Sequence, residues 1–168
     1  MLDIHDILEE KIYYEGENIN KYEEVITSSS YKIVEITLWD RSIFKKLYDI
    51  QLNGFIPIIK YPEKIKEIKN NPNIINHFID SNCLFLLDVK SINGRLGATT
   101  KRIANGFLKH NLYNFISYEE DDSSYKNIFE NYNNSKDIFK ESFEKLIKNE
   151  NIDFLGVKTS YKRLWRFL

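Results

Sequence analysis

The chain has 168 residues, 42% hydrophobic and 29% charged, with a formal net charge of −1, which is enough for one domain that buries roughly two-thirds of its unfolded surface without a disulfide or structural metal. Its lone cysteine, Cys83, excludes an internal disulfide and a cysteine-built zinc site and suits a reducing, cytoplasmic compartment. No apolar run approaches the roughly 18 residues of a membrane span, and the acidic start lacks the basic and apolar regions of a signal peptide.

Within the first 24 residues Asp3, Asp6, Glu9, Glu10, Glu15, Glu17, Glu23 and Glu24 face only Lys11 and Lys21. The spacing of Leu2, Ile4, Ile7, Leu8 and Ile12 in "LDIHDILEEKIYY" predicts an amphipathic helix with acidic residues where the helix dipole favours them. "NKYEEVITSS" predicts a second short helix before the Ser28-Ser29-Ser30 break. "YKIVEITLW" alternates and is rich in β-branched residues, so it predicts a strand. Asp40 is placed to cap the helix "RSIFKKLYDIQL", and Asn53-Gly54 to stop it. "FIPIIKY" predicts a second strand, whose Pro57 removes a ladder donor and so calls for an edge or an irregularity.

Pro62 opens the helical "EKIKEIKN" and Pro72 opens "NIINHFIDSN". "CLFLLDVKSI" is almost continuously apolar, as in a strand covered on both faces. A glycine-containing turn, a helix from about Thr99 to His110 and the strand "LYNFISY" follow. After the polar "EEDDSSYKNIFENYNNS" comes the amphipathic helix "NNSKDIFKESFEKLIKN", with Ser135 as its cap, and "IDFLGVKTSYKRLWRFL" predicts two short strands turning near Thr159-Ser160. The order predicts an α/β or mixed α+β fold over residues 1–168, one domain with a central mixed β-sheet flanked by helices. Its parts are an acidic helical segment (1–30), an alternating strand/helix core (31–118), a polar loop (119–134), and a helix plus C-terminal β-hairpin (135–168). Abundant Asn, Ile, Lys and Tyr, against alanine only at Ala98 and Ala104, are the bias of a low-G+C genome or mobile element.

The richest stretch for chemistry is "LLDVKSINGRLGATTKR", residues 86–102. Asp88-Val89-Lys90 resembles the acidic-x-Lys element of PD-(D/E)xK nucleases, where carboxylates on a strand hold a cation and a lysine steadies the attacking water. The resemblance covers about residues 72–118 and implies a Mg²⁺ site with Asp88 and Asp80 as metal ligands and Lys90 beside them. Asn73 stands where that family more typically has an aspartate, and Asp80 is close to Asp88 for the part. The loop from Asn93 to Thr100 resembles the coenzyme A pyrophosphate loop of GNAT acyltransferases, implying acetyl-CoA held near Arg95, Gly97 and Ala98. It departs in spacing, since Arg95 is only two residues before Gly97 and Thr99 fills the final small position. A plain turn at Asn93-Gly94, a bend at Gly97 and a cap from Thr99 or Thr100 explain the same residues without a ligand.

His5, His77 and His110 show no metal-ligand spacing, and Cys83 leads into an apolar strand as a buried small side chain. Lys90 to Lys109 is purely basic, and "YKRLWRF" interleaves aromatic and basic residues. Lys101 and Arg102 together with Lys162, Arg163 and Arg166 form a candidate nucleic-acid or anion patch; an ordinary edge strand, or pairing with the acidic end, accounts for them too. With no complete catalytic constellation and uneven charge, the function expected is non-enzymatic: an immunity protein, antitoxin or phage-type inhibitor that binds one protein partner, a toxin or defence protein, with no cofactor. The nuclease and the acyltransferase are the alternatives.

Overall fold

The computed structural model describes residues 11–14, 30–40, 42–117, 133–155 and 160. In chain order these form β1 (Lys11–Tyr14), β2 (Tyr31–Ile36), α1 (Ile43–Leu52), β3 (Ile56–Lys60), a 3₁₀ turn (Pro62–Lys64), α2 (Lys66–Asn70), a second 3₁₀ turn (Pro72–Ile74), α3 (Ile75–Asp80), β4 (Leu84–Asp88), α4 (Val89–Ile92), α5 (Ala98–Lys109), β5 (Phe115–Ser117) and α6 (Asn133–Ile147). The five strands make one sheet in the order β1-β2-β3-β4-β5. Every described pairing is parallel, narrower than the mixed sheet expected. The α/β fold holds.

Sequential parallel strands joined by right-handed crossovers send their helices to one face of the sheet. The core shows that arrangement. Val34, Ile59, Phe85 and Leu87 project from the sheet onto Ile43, Leu47 and Ile50 of α1, Ile68 of α2, Phe78 of α3, and Ile103, Ala104 and Phe107 of α5. The opposite face carries Tyr31, Ile33, Ile58, Leu84, Leu86 and Phe115, covered by Leu146 and Ile152. Alternating side chains of β4 therefore enter different clusters, which is why its sequence is apolar without a break. On the helix-covered face, Phe78 meets Trp39 and Phe44 at centroid distances of 6.0 and 5.0 Å.

Several boundaries differ from the expectations, each for a local reason. Residues 11–14, expected to end a helix, form β1; the rest of that helix and all of the second lie outside the described residues. Pro57 sits in β3, which is interior rather than at an edge. Ile56 donates its N–H to the Ser30 carbonyl, so the next residue turns its nitrogen toward β4, and β4 begins pairing only at Ile58. The missing donor thus falls where β4 has not yet started. Asp40, expected to cap α1, accepts instead from both the amide and the hydroxyl of Ser42 and pairs with Lys46 at 3.4 Å; the N-cap position is Ser42, whose side chain makes no capping bond. The helix expected to be capped by Ser135 starts two residues earlier and buries that serine. Residues 151–155 contain no strand, and the remainder of the expected hairpin, apart from residue 160, lies outside the described residues.

Phe78→Ala is expected to cost about 3–5 kcal/mol, and Phe78→Leu about 1 kcal/mol, by loss of buried volume. Urea unfolding midpoints at constant slope check both values.

Candidate functional site

In parallel α/β folds the chemistry gathers at the carboxyl ends of the strands, because the loops leaving them converge there. Strand register and the turn after β3 together bring six polar side chains to that edge. Continuing the β2–β3 register sets Glu35 beside Lys60, and Lys60 is level with Leu86 and thus with Phe115. One step further, Asp88 is level with Ser117. All share the face of Ile58 and Leu86, and Tyr61 and Lys64 join them from the turn after β3.

Glu35 and Lys60 pair at 3.2 Å, with the lysine side chain only 9% exposed. Asp88 uses both oxygens: one accepts from the Lys90 amide at 2.8 Å, capping α4, and the other pairs with the Lys64 ammonium. The Lys60 and Lys64 ammonium groups lie 5.0 and 4.1 Å from the centroid of the Tyr61 ring, within reach of cation–π attraction. The Tyr61 hydroxyl donates to Ser117 Oγ at 3.1 Å. Tyr61 itself has φ 52° and ψ 54°, a left-handed conformation costly for a bulky residue. Its amide bonds the Leu86 carbonyl at 2.8 Å, so backbone, ring and hydroxyl all hold it there.

Behind this cluster Glu63 is fully buried. Its Oε1 accepts from the Asp88 amide at 3.1 Å and the Ser91 hydroxyl at 2.8 Å, and its Oε2 accepts from the Tyr113 hydroxyl at 3.0 Å. Burial pushes its carboxyl up to about 7, against the opposing pull of those donors.

The residues singled out in the sequence fare differently. Asp88 is in the cluster, but Lys90 is in the first turn of α4 rather than two along a strand, because the Asp88 side chain caps that turn. Asp80 ends α3 at the opposite end of β4, separated from Asp88 by the strand, on the order of 13 Å at the usual rise. The nuclease ligand set is therefore not assembled, and Mg²⁺ on that set goes with it. In the glycine loop the Arg95 amide is bonded to Asn93 and the Gly97 amide to the Gly94 carbonyl, so two amides that a pyrophosphate would need are turned into the loop. Gly97, at φ 94°, precedes Ala98 as the N-cap of α5; the ligand-free turn explains both. Lys101 and Arg102 are exposed on α5, whereas Lys162, Arg163 and Arg166 lie outside the described residues. His77 packs against Phe44 and His110 caps the far end of α5. Cys83 is buried, and burial pushes its thiol pKa up, away from reactivity.

Glu35, Lys60, Tyr61, Glu63 and Lys64 escaped the sequence reading. The available signal was position: Lys60-Tyr61 ends a strand, and a proline followed by Glu63 starts the next turn.

A singly wound parallel sheet with its polar cluster at the carboxyl edge defines the architectural class. Comparison with known proteins then narrows it. A family model described as "Capsular polysaccharide synthesis, CpsB/CapC" matches residues 3–129, and the chain belongs to that family. It is 31% identical over 70 residues to the tyrosine-protein phosphatase YwqE of Bacillus subtilis (strain 168), covering 42% of this chain and 28% of YwqE. It is 29% identical over 103 residues to CapC of Staphylococcus aureus, covering 58% of this chain and 39% of CapC. A solved structure from work on YwqE of Bacillus subtilis and CpsB of Streptococcus pneumoniae, described as unique metal-dependent tyrosine phosphatases, superimposes with a TM-score of 0.63 at 22% identity, over 74% of this chain and 56% of that one. That likeness establishes the fold. The chain spans less than two-thirds of the length of each of these relatives.

Family membership overturns the expected immunity, antitoxin or inhibitor function, and with it the nuclease and acyltransferase alternatives. The metal dependence described for the solved relatives also withdraws support from the expectation of no cofactor. Among the described residues, however, no group of three or more His, Cys, Asp or Glu is placed to hold a metal ion. No helix among them is long and apolar enough to cross a membrane.

Because the Glu63 carboxyl rises from its ordinary 4.5 to about 7, the folded protein keeps a proton that the unfolded chain releases between those values. Its stabilising contribution is full at the acidic end and falls as pH rises through 7. Urea midpoints are expected to decline from pH 5 to 8 in the wild type and to flatten in Glu63→Gln. Glu63→Ala, which strips three buried donors of their acceptor, is expected to cost about 3 kcal/mol or more at either pH.

Proposed function

We propose that this chain recognises phosphotyrosine on a protein partner, and that it does so in the cytoplasm, the compartment its single cysteine suits, as part of the capsular polysaccharide synthesis for which its family is described. The observation that carries the reading is the family match over residues 3–129, since the phosphotyrosine ester is the substrate implied by the name of the relative YwqE. The geometry supports it by supplying a place. Lys60 and Lys64 bring two ammonium groups to one aromatic ring at the carboxyl edge, and a phosphorylated phenol needs cations for its phosphate and apolar surface for its ring. The solved relatives are described as metal-dependent, so hydrolysis makes the separate demand of a metal cation.

Fluorescence anisotropy with a labelled phosphotyrosyl peptide tests this reading. The phosphorylated peptide is expected to bind at least about tenfold more tightly than its unphosphorylated form, a difference of about 1.4 kcal/mol, and more tightly than its phosphoserine counterpart. Equal binding of all three sinks the reading.

A further inference from the structure

Residues 89–117 carry Lys90, Arg95, Lys101, Arg102 and Lys109 and not one acidic residue, in a chain whose charges otherwise nearly cancel. The fold decides where three of these cations go. A crossover from β4 to the parallel β5 starts its return helix at the carboxyl edge, so the loop 93–97 and the first turns of α5 lie at the end of the sheet that carries Lys60, Tyr61 and Lys64. There α5 packs against the turn that holds Lys64 and against α4, the short helix started by the Asp88 side chain. Arg95, Lys101 and Arg102 are exposed.

The loop that presents them is held by its own backbone. Asn93 Oδ1 accepts from the Arg95 amide at 2.9 Å, the Gly94 carbonyl from the Gly97 amide at 3.0 Å, and the Gly97 carbonyl from the Lys101 amide at 3.1 Å. A β-carbon on Gly94 would stand 3.4 Å from Lys101 Cδ, so the lysine stem lies along the turn instead of trailing into solvent. The described ion pairs engage neither Lys101 nor Arg102. These cations extend the positive field of the edge in one direction, because toward β2 the corresponding charge is Glu35, paired with Lys60.

Extended acidic protein sequence fits such a surface by charge complementarity. Single-stranded nucleic acid asks for aromatic rings on which bases stack, and the exposed apolar residue of this loop is aliphatic, Leu96. The spacing also suits a peptide anchored at the edge. α4 is four residues long, which at the helical rise sets the loop about 6 Å beyond Asp88. An extended peptide advances about 3.3 Å per residue, so side chains two to four residues from an anchored phosphotyrosine come level with the basic loop.

We infer that the loop 93–97 and the first turns of α5 bind acidic residues flanking the phosphotyrosine, so that this chain selects phosphotyrosines with Asp or Glu a few residues to one side. The anchor rests on the phosphotyrosine reading; the acidic preference rests on Arg95, Lys101 and Arg102.

Fluorescence anisotropy of the tag-free full chain tests it with three labelled phosphotyrosyl peptides: Asp at the second to fourth positions before the phosphotyrosine, Asp at the same positions after it, and Ser at all of them. One of the two acidic peptides is expected to bind about fivefold more tightly than the Ser peptide at low salt, as a few exposed charge pairs give. The gap is expected to close at about 0.5 M NaCl. Combining Lys101→Glu with Arg102→Glu is expected to abolish the preference and leave the Ser peptide within about twofold of its wild-type affinity, with circular dichroism confirming the fold. Equal binding of the three phosphopeptides, or a preference unchanged in the double variant, overturns the inference and leaves the phosphotyrosine reading standing. Acidic peptides bound equally with and without phosphate, and lost in the double variant, overturn the phosphotyrosine reading and support the acidic surface. A preference that emerges only after Glu119, Glu120, Asp121 and Asp122 are changed to their amides makes the surface the chain's own and overturns the inference, as does tighter binding of oligo(dT) than of the acidic peptides. Failure of every peptide to bind overturns both.

Discussion

One buried carboxyl group organises the carboxyl edge of the sheet. Glu63 reaches from the turn after β3 to the backbone where β4 ends, to Ser91 in the short helix beyond it, and to Tyr113 ahead of β5. Three chain segments with no local reason to stay aligned are thereby held in one plane. The Asp88 amide that Glu63 engages belongs to the residue whose side chain starts α4 and pairs with Lys64. Glu63 and Lys64 are consecutive, so one short turn grips the end of β4 from behind with a carboxyl and from in front with an ammonium. Burying a carboxyl is costly, and its three donors make that cost tolerable.

The polar cluster in front of Glu63 is electrically balanced: two carboxylates, two ammoniums, a phenol and a hydroxyl. Such a set is stable without a guest, unlike a metal centre, whose crowded donors repel one another until the ion arrives. The sheet itself is held by its two apolar clusters, neither of which needs the edge to be catalytic.

Much of the fold could be read from the sequence, because it is written in periodicity. The unbroken apolar run of β4 announced coverage on both faces, and the patterns around Leu47 and Phe107 announced helices. Strand ends were harder. Nothing in "LLDVKS" says that the strand stops at Asp88; the stop comes from its side chain folding onto the Lys90 amide two residues on, a competition between two local hydrogen-bonding patterns that composition does not resolve. That one event turned an apparent metal-and-lysine motif into a helix cap. The site was less legible still. Lys60, Tyr61 and Lys64 look like codon-biased surface residues in a lysine-rich chain until parallel register brings them beside Glu35, Asp88 and Ser117. The glycine turn, conspicuous in the sequence, is occupied with its own backbone.

Pro57 carries a consequence beyond its own missing bond. Leu84, Phe85, Leu86 and Leu87 are all buried, so β4 has no polar alternation to tell one alignment from the next; sliding it by a residue would exchange one apolar face for another at little cost. A proline whose nitrogen faces β4 just before the first paired residue, Ile58, removes the rung that a slipped strand would need. The proline therefore works as a ruler against a slip in that direction, favouring the β3–β4 alignment in which Asp88 comes within reach of Lys64.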